Sequence, residues 1–229
     1  MSVTIVAIAA LCRLLEAGAQ LVEVLPEEEY EELHLPGAIS LPLKQLDASS
    51  ARRLDPRRDV VVYCWDALCD MSPRAAARLA TLGFTRVYDY AEGKVDWLAH
   101  GLPAEGARAE LPTAGSLARE DAATCALESS IAAARGAIAD SPYGFALVLS
   151  ADEVLLGRVR RSALDGLAES YPIEPIIEPG PSTIRPHLTL DEVRQRLSGS
   201  GVHNLLVTRP DGTLVGVVRR DDVSQDDPS

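Results

Sequence analysis

Residues 59–82, DVVVYCWDALCDMSPRAAARLATL, contain the stretch that decides the fold of the N-terminal half. The apolar run Val60–Tyr63 is rich in β-branched residues and predicts a buried strand that ends at Cys64. A short loop follows, and Ser72 and Pro73 then supply a preferred N-cap and a preferred first helical residue. The sequence therefore predicts a unit of strand, cysteine, loop and helix.

Cys64 is the candidate nucleophile of this unit. A thiol between a strand end and a helix N-terminus lies near unpaired backbone N–H groups and the positive end of the helix dipole. These groups stabilise a thiolate, so we expect a lowered pKa for the Cys64 thiol and a better nucleophile. The alternative is a buried cysteine that acts only as a small hydrophobic residue. The loop and the capped helix favour the nucleophile.

Composition and charge exclude several classes of protein. A chain of 229 residues with 47% hydrophobic residues suits one large or two small domains with packed cores. The net charge of −12, without a basic stripe, argues against partners such as nucleic acid or an anionic membrane. No apolar run reaches transmembrane length. Four irregularly spaced cysteines indicate a reducing cytoplasm, and the scattered histidines show no metal-ligand spacing.

The rest of the first half alternates between helical and strand patterns. The pattern predicts a helix over 5–17, a strand over 21–25, an acidic helix over 27–33, a brief strand over 39–42, a strand over 86–90 and a helical turn around Trp97. Such alternation predicts an α/β domain with a mainly parallel sheet. Sites in these sheets lie at the carboxyl ends of the strands, which is where Cys64 falls.

Two stretches resemble the rhodanese family. Residues 21–43, LVEVLPEEEYEELHLPGAISLPL, carry an acid-Val pair, a Glu-Tyr pair and a His-x-Pro-Gly-Ala motif, and residues 60–103 resemble the second half of the family's domain. The resemblance covers residues 1–105 and implies a three-layer sulfurtransferase domain. It implies that Cys64 attacks the outer sulfur of a donor such as thiosulfate or a persulfide, holds that sulfur as a persulfide and passes it to a thiol acceptor. Backbone N–H groups of residues 65–70 would cradle the sulfur or the donor anion.

The resemblance also places residues with other roles. We expect His34, Pro36, Gly37 and Trp97 to be structural, as parts of a turn and a core aromatic. We expect Glu23 to be a buried acid that accepts hydrogen bonds from backbone donors.

The expected active-site loop differs from the commonest family pattern. It comprises Trp65, Asp66, Ala67, Leu68, Asp70, Met71 and Ser72. Met71 stands where an arginine usually precedes the helix, and Asp66 and Asp70 face no Lys or Arg within the loop. Each carboxylate disfavours an anionic donor by roughly 1 kcal/mol at a few ångströms in partly screened surroundings. We therefore expect thiosulfate to be a poor donor, and the missing arginine argues against a phosphatase or arsenate reductase.

Cys69 lies five residues after Cys64 in the same loop, and two interpretations of it stay open. It is either a resolving thiol that reacts with a persulfide or sulfenate on Cys64, or a residue that packs the loop.

The second half contains an internal repeat. Residues 106–116 have the composition of a linker, and residues 117–229 repeat at an offset of 59 residues and close with an acidic tail. At this offset Gly157 aligns with Gly216, Thr124 with Thr183, Leu147 with Leu206 and Val159 with Val218. Each copy predicts a Thr-bearing segment, a helix, a hairpin and a closing helix, and two such copies should pack as a pseudo-dimer.

Residues 117–226 resemble a pair of CBS domains, in which Gly216-Val217-Val218 leads into Asp222-Val223. The resemblance implies an α+β module of the Bateman type, an adenine nucleotide as the one cofactor to consider, and a homodimer. The nucleotide site of the family uses a hydroxyl residue followed three residues later by Asp. Here the second copy has Arg219 and Asp222, so the candidate residues are Asp222, Thr183 and Arg219.

The leading hypothesis is a cytoplasmic sulfurtransferase with a Cys64 persulfide, joined to a CBS pair that regulates it. Its partners would be a small-molecule or protein sulfur donor and a thiol acceptor. One alternative is a non-catalytic redox protein in which Cys64 and Cys69 form a reversible thiol pair. Another is a nucleotide-sensing regulator in which the CBS pair dominates.

Overall fold

A computed structural model describes residues 3–199 and 201–223, and the chain divides into two compact units, Met1–Leu111 and Pro112–Ser229. The predicted acidic tail lies beyond residue 223, outside the described residues. Within residues 3–199 and 201–223, no helix has the length and apolar composition needed to cross a membrane.

The first unit is built on a five-stranded parallel sheet with the strand order β1-β5-β4-β2-β3. Its strands are β1 (Thr4–Ile5), β2 (Gln20–Glu23), β3 (Ile39–Ser40), β4 (Val60–Tyr63) and β5 (Val87–Tyr90). Its helices are α1 (Ile8–Glu16), α2 (Glu27–Glu32), α3 (Met71–Thr81) and α4 (Gly93–Ala99), with 3₁₀ helices at Leu43–Gln45 and Ser50–Arg53.

The central strand β4 is buried on both faces, which explains its continuous apolar sequence. Val60 and Val62 pack in one core with Ala75, Ala76 and Leu79 of α3. Val61 and Tyr63 pack on the other face in a core with Leu11 of α1 and Trp97 of α4. The prediction of a three-layer α/β domain with a parallel sheet is confirmed.

The N-terminal segment differs from the predicted helix over 5–17. Thr4 and Ile5 form the edge strand β1, which pairs in parallel with Tyr88 and Asp89, and the helix begins only at Ile8. The strand forms because the outer edge of β5 carries backbone groups that need hydrogen-bond partners. That demand is a property of the assembled sheet.

The second unit contains two sheets, in the orders β6-β7-β8-β9 and β10-β11-β12. Its strands are β6 (Thr124–Ala126), β7 (Phe145–Leu149), β8 (Leu155–Arg160), β9 (Glu178–Pro179), β10 (Thr183–Ile184), β11 (Asn204–Thr208) and β12 (Leu214–Arg219). Its helices are α5 (Ala114–Leu117), α6 (Ile131–Ala139), α7 (Leu190–Leu197) and α8 (Arg220–Val223), with 3₁₀ helices at Arg161–Leu164 and Glu174–Ile176.

The two copies of the repeat have the same geometry. β6, α6, β7 and β8 each begin 59 residues before β10, α7, β11 and β12. Both hairpins carry an irregularity at matching positions, between Val148 and Leu149 and between Val207 and Thr208. The hairpin turns also pair reciprocally, because Leu155 N donates to Gly212 O and Leu214 N donates to Glu153 O, both at 3.0 Å. The two copies therefore pack as one pseudo-symmetric body.

The segment 106–116, which the composition predicts to be a linker, is ordered near both ends. Ala107 N and Arg108 N donate to Glu31 O and Glu32 O in the first unit, at 3.0 and 2.9 Å. In the second unit, Thr113 caps α5 and Ala114 is fully buried. Backbone hydrogen bonds and burial therefore fix this segment at both ends, and composition does not reveal either of them.

Candidate active site

Cys64 follows β4 at the carboxyl edge of the parallel sheet and is buried. Residues 65–70 form the loop, and α3 begins at Met71 after an N-cap at Asp70 that makes no side-chain capping bond. The predicted N-cap at Ser72 and first helical residue at Pro73 are therefore each wrong by two residues. Ser72 instead turns its buried hydroxyl toward the sulfur, because the second helical residue faces the sheet here.

The Cys64 thiol lies among oxygen atoms of its own loop and helix. Its Sγ is 3.4 Å from Ser72 Oγ, 3.5 Å from the Cys69 carbonyl and 4.0 Å from the Asp66 carbonyl. Burial raises the pKa of Cys64 to about 11, the nearby Cys69 side chain adds to the rise, and Ser72 acts in the opposite direction. The predicted lowering of this pKa is wrong, because loss of hydration outweighs the helix N-terminus.

Cys69 is half-buried and its thiol is close enough to influence the Cys64 thiol. All four cysteines are free. The structure thus brings the two loop cysteines together without joining them, and both interpretations of Cys69 keep a structural basis.

Asp66 occupies part of the backbone cradle that we expected to receive sulfur or an anion. Its Oδ1 accepts hydrogen bonds from Leu68 N at 3.0 Å and Cys69 N at 3.1 Å. Asp70 points outward and pairs with Arg74 at 3.3 Å. The two loop carboxylates therefore differ in their surroundings. Asp66 accepts hydrogen bonds from backbone N–H groups beside the thiol, whereas Asp70 is exposed and paired with Arg74.

The outer surface of the loop is apolar and exposed. Leu68 is 94% exposed and Trp65 is 42% exposed, Ala67 is also exposed, and Met71 is half-buried. A cavity of about 580 Å³ lies beside Met71. It is lined by apolar Val24, Pro26, Pro42 and Leu43, by acidic Glu27 and Glu28, by Gln45, and by basic Lys44, Arg74 and Arg78.

Backbone N–H groups at the start of α4 donate hydrogen bonds to Cys64 and to the first residue of the loop. Lys94 N donates to Cys64 O at 2.9 Å and Val95 N donates to Trp65 O at 3.0 Å. Gly93 has φ +68°, and a Cβ there would lie 2.7 Å from Cys64 O. Only glycine permits this approach, so Gly93 fixes the position of the nucleophile.

A buried ion pair lies beneath the loop, and the sequence analysis missed it. Lys94 Nζ is 2.8 Å from Glu23 Oε1, both side chains are fully buried, and Tyr63 OH donates to the other carboxylate oxygen. Lys94 also donates to the Glu29 and Leu33 carbonyls and lies 5.4 Å from the centre of the Trp65 ring. Glu23 thus accepts from side chains, and the prediction of backbone donors is wrong.

The residues that we expected to be structural lie in a turn and in the core. Leu35 N donates to Tyr63 OH at 3.1 Å, which docks the turn that contains Pro36 and Gly37. The His34 ring stacks on Tyr30, and Trp97 is buried with its indole nitrogen donating to Pro103 O. Among residues 3–199 and 201–223, no three His, Cys, Asp or Glu side chains gather as metal ligands.

The candidate nucleotide residues of the second unit do not share one site. Thr183 lines a cavity of about 600 Å³ together with Arg158, Arg160, Arg196 and His203. Arg219 and Asp222 are not in its lining. Asp222 forms a two-point ion pair with Arg119, and Arg219 pairs with Asp221.

Family models match a segment in each of the two compact units. The family model described as a rhodanese-like domain matches residues 8–100, and the CBS domain model matches residues 168–226. An HTH-type transcriptional regulator of Mycobacterium tuberculosis is 43% identical over 98 residues, which cover 42% of this chain and 42% of that protein. The chain therefore spans less than half of the length of this curated relative.

Two solved structures each resemble part of the chain. The BH2092 protein of Bacillus halodurans is 32% identical, with a TM-score of 0.43, and the match covers 45% of this chain and 77% of that one. The CBS domains of a Streptococcus pneumoniae transcriptional regulator are 19% identical, with a TM-score of 0.45, and the match covers 50% of this chain and 98% of that one.

Proposed function

Since the chain contains a rhodanese-like domain and a CBS domain, we propose that it is a sulfurtransferase that carries sulfane sulfur as a persulfide on Cys64. The observation that carries this proposal is the position of the thiol. Cys64 lies at the carboxyl end of the central strand, within the active-site loop and 3.4 Å from the Ser72 hydroxyl. The test is transfer of sulfur by the purified chain from a persulfide donor to a small thiol.

The reaction proceeds in two displacements. The Cys64 thiolate attacks the outer sulfur of the donor, a new S–S bond forms, and the donor's own S–S bond breaks with its electron pair leaving on the departing thiolate or sulfite. An acceptor thiolate then attacks the sulfur held on Cys64, and Cys64 leaves as a thiolate. Because Cys64 is buried, the loop around the exposed Leu68 must yield before a donor reaches the sulfur.

We further propose a donor that is a protein persulfide or a neutral persulfide rather than thiosulfate. The Asp66 carboxylate already holds the Leu68 and Cys69 N–H groups that an anion would need. An anionic donor at this place finds these N–H groups already hydrogen-bonded, and the Asp66 carboxylate repels it.

Replacing Asp66 with asparagine should raise turnover with thiosulfate about fivefold, which corresponds to about 1 kcal/mol of relieved repulsion. Turnover with a neutral persulfide should change much less. Asp70→Asn is the matched control, because Asp70 is exposed and already paired with Arg74, and we expect it to have little effect. An equal rise with both donors in Asp66→Asn would show that charge is not the cause.

The second unit supports a second function, a regulatory site for a ligand that carries phosphate or carboxylate, such as an adenine nucleotide. The supporting observation is the cavity of about 600 Å³ where Arg158, Arg160 and Arg196 lie near Thr183. The M. tuberculosis relative is named a transcriptional regulator, which agrees with a regulatory role. We also propose that the protein is a homodimer through this unit and works in the reducing cytoplasm, where its four thiols stay free.

Calorimetric titration with AMP, ATP and S-adenosylmethionine tests this site. Thr183→Val should weaken binding about fivefold through the loss of one hydrogen bond, whereas Asp222→Asn should leave it unchanged because Asp222 is held by Arg119. Weakening by Asp222→Asn alone would move the ligand to the junction of β12 and α8. Failure of all three ligands to bind would remove the nucleotide proposal.

A further inference from the structure

The cavity beside Met71 adjoins the core around the nucleophile, and the reaction described above gives it no role. Its volume of about 580 Å³ falls within the range of roughly 300–1,000 Å³ that is usual for small-molecule sites. Val24, Leu43 and Met71 line the cavity and also pack in the apolar core in which Cys64 is buried. The cavity and the nucleophile therefore have these three side chains in common.

The cavity lies at the carboxyl edge of the parallel sheet. Val24 follows the last residue of β2, and its N–H donates to Tyr63 O at the end of β4, at 3.1 Å. Leu43 N donates to Val24 O at 3.0 Å, which places the chain after β3 beside the same point. Open α/β sheets bind their ligands at this edge, where Cys64 also lies. A molecule in the cavity is therefore on the same edge as the sulfur.

The polar lining of the cavity carries both signs of charge. Its basic residues, Lys44, Arg74 and Arg78, come from α3 and from the 3₁₀ helix that contacts α3. Its acidic residues, Glu27 and Glu28, come from α2. A ligand with only negative groups would meet two carboxylates, and a ligand with only positive groups would meet three cations. The lining therefore favours a ligand that carries one group of each sign.

Three of these charged groups are available to a ligand. Lys44, Glu27 and Glu28 are exposed, and no ion pair joins any of them to another residue that the structure describes. Both arginines are engaged, one with the Asp70 carboxylate and the other with the Leu46 carbonyl. The lysine is thus the available cation of the cavity, and the two glutamates are its available anions.

We propose that this cavity binds the sulfur acceptor, and that the acceptor is a thiol of the amino-acid class with both a carboxylate and an ammonium group, an inference that rests on the proposed sulfur transfer. Lys44 receives the carboxylate, and Glu27 and Glu28 receive the ammonium group. The acceptor thiolate attacks the outer sulfur held on Cys64 and forms a new S–S bond. The bond from that sulfur to Cys64 Sγ breaks, its electron pair stays on Sγ, and the acceptor leaves as a persulfide.

The first test measures KM and kcat for four small thiols as acceptors, with the full-length protein and an uncharged alkyl persulfide as donor. Cysteine carries both charged groups, mercaptopropionate only the carboxylate, cysteamine only the ammonium group and mercaptoethanol neither. Each variant is compared with the wild type for the same thiol, because this ratio cancels the differences in intrinsic reactivity between thiols.

We expect each charge to matter only for the thiols that carry its counterpart. Lys44→Met should raise KM about fivefold for cysteine and mercaptopropionate and leave KM for cysteamine and all kcat values unchanged. Glu27→Gln combined with Glu28→Gln should raise KM for cysteine and cysteamine and leave KM for mercaptopropionate unchanged. Arg52→Met and Glu31→Gln are the matched controls, because these exposed residues do not line the cavity.

Binding of S-methylcysteine, measured by calorimetry on the same proteins, separates this inference from the proposed function. This amino acid has both charged groups but no thiol, so its affinity does not depend on sulfur transfer. It should bind the wild type, and Lys44→Met should weaken the binding about fivefold.

The two proposals fail separately in these measurements. Binding with this response in a protein that transfers no sulfur would end the sulfurtransferase proposal and leave the amino-acid site intact. In a protein that transfers sulfur, absence of S-methylcysteine binding, or a KM for cysteine that Lys44→Met leaves unchanged, would overturn the inference about the cavity.

Discussion

Cys64→Ser should reduce sulfur transfer to the uncatalysed background with every donor. A serine hydroxyl cannot hold sulfane sulfur, and the sulfur atom of Cys64 lies where the sheet edge, the loop and the Ser72 hydroxyl converge. Cys69→Ser should lower or alter transfer without abolishing it. The substitution removes the thiol next to Cys64 but keeps the backbone carbonyl that contacts it. The measurement is the initial rate of sulfur transfer from a persulfide to a small thiol.

Cys12→Ser provides the control for loss of a thiol as such. Cys12 is a half-buried residue of α1 and packs in the core on the opposite face of the sheet. Full activity in Cys64→Ser would either move the nucleophile to Cys69 or end the sulfurtransferase proposal, and the double variant of Cys64 and Cys69 separates these two outcomes.

Lys94→Met should lower the free energy of unfolding of the first unit by about 3–5 kcal/mol. The substitution leaves the Glu23 carboxylate fully buried without its counter-ion, with only the Tyr63 hydroxyl to compensate it. It also removes the donors to the Glu29 and Leu33 carbonyls. Both tryptophans of the chain, Trp65 and Trp97, lie in this unit, so their fluorescence during urea titration reports its unfolding.

Two further variants show whether the ion pair is the cause. Lys44→Met removes an exposed lysine of the same unit and should change stability by less than about 0.5 kcal/mol. Adding Glu23→Leu to Lys94→Met should restore part of the lost stability, because an apolar pair leaves no uncompensated charge. If Lys94→Met matched the wild type in stability, the buried pair would not hold the unit together.

The sequence was sufficient to predict the elements whose formation depends on residues close together in the chain. The run of β-branched residues before Cys64 and the small apolar residues after Pro73 predicted β4 and α3. The fixed offset between Gly157 and Gly216 predicted two copies of one unit, and the structure shows their strands and the irregularities in their hairpins at matching positions. These patterns are local or periodic, so one sequence contains them.

The features that the sequence analysis missed depend on groups far apart in the chain. The pKa of Cys64 is raised by burial in the folded domain, and helix geometry alone predicted the wrong direction. Glu23 and Lys94 are 71 residues apart, and their contact requires β2 and α4 to be in place. The one available signal for this ion pair was Glu23, a charged residue inside the apolar strand predicted over 21–25. Such a residue needs a buried partner.

Mass spectrometry of Cys64 after exposure to a sulfur donor tests the central claim most directly. The purified protein is incubated with a persulfide, with thiosulfate or with peroxide, and the peptides containing each cysteine are measured. We expect the persulfide to add the mass of one sulfur atom to Cys64, and a small thiol to remove it again. Unmodified Cys64 with the persulfide, together with a Cys64–Cys69 disulfide after peroxide, would contradict sulfur transfer and identify a redox-sensing thiol pair instead.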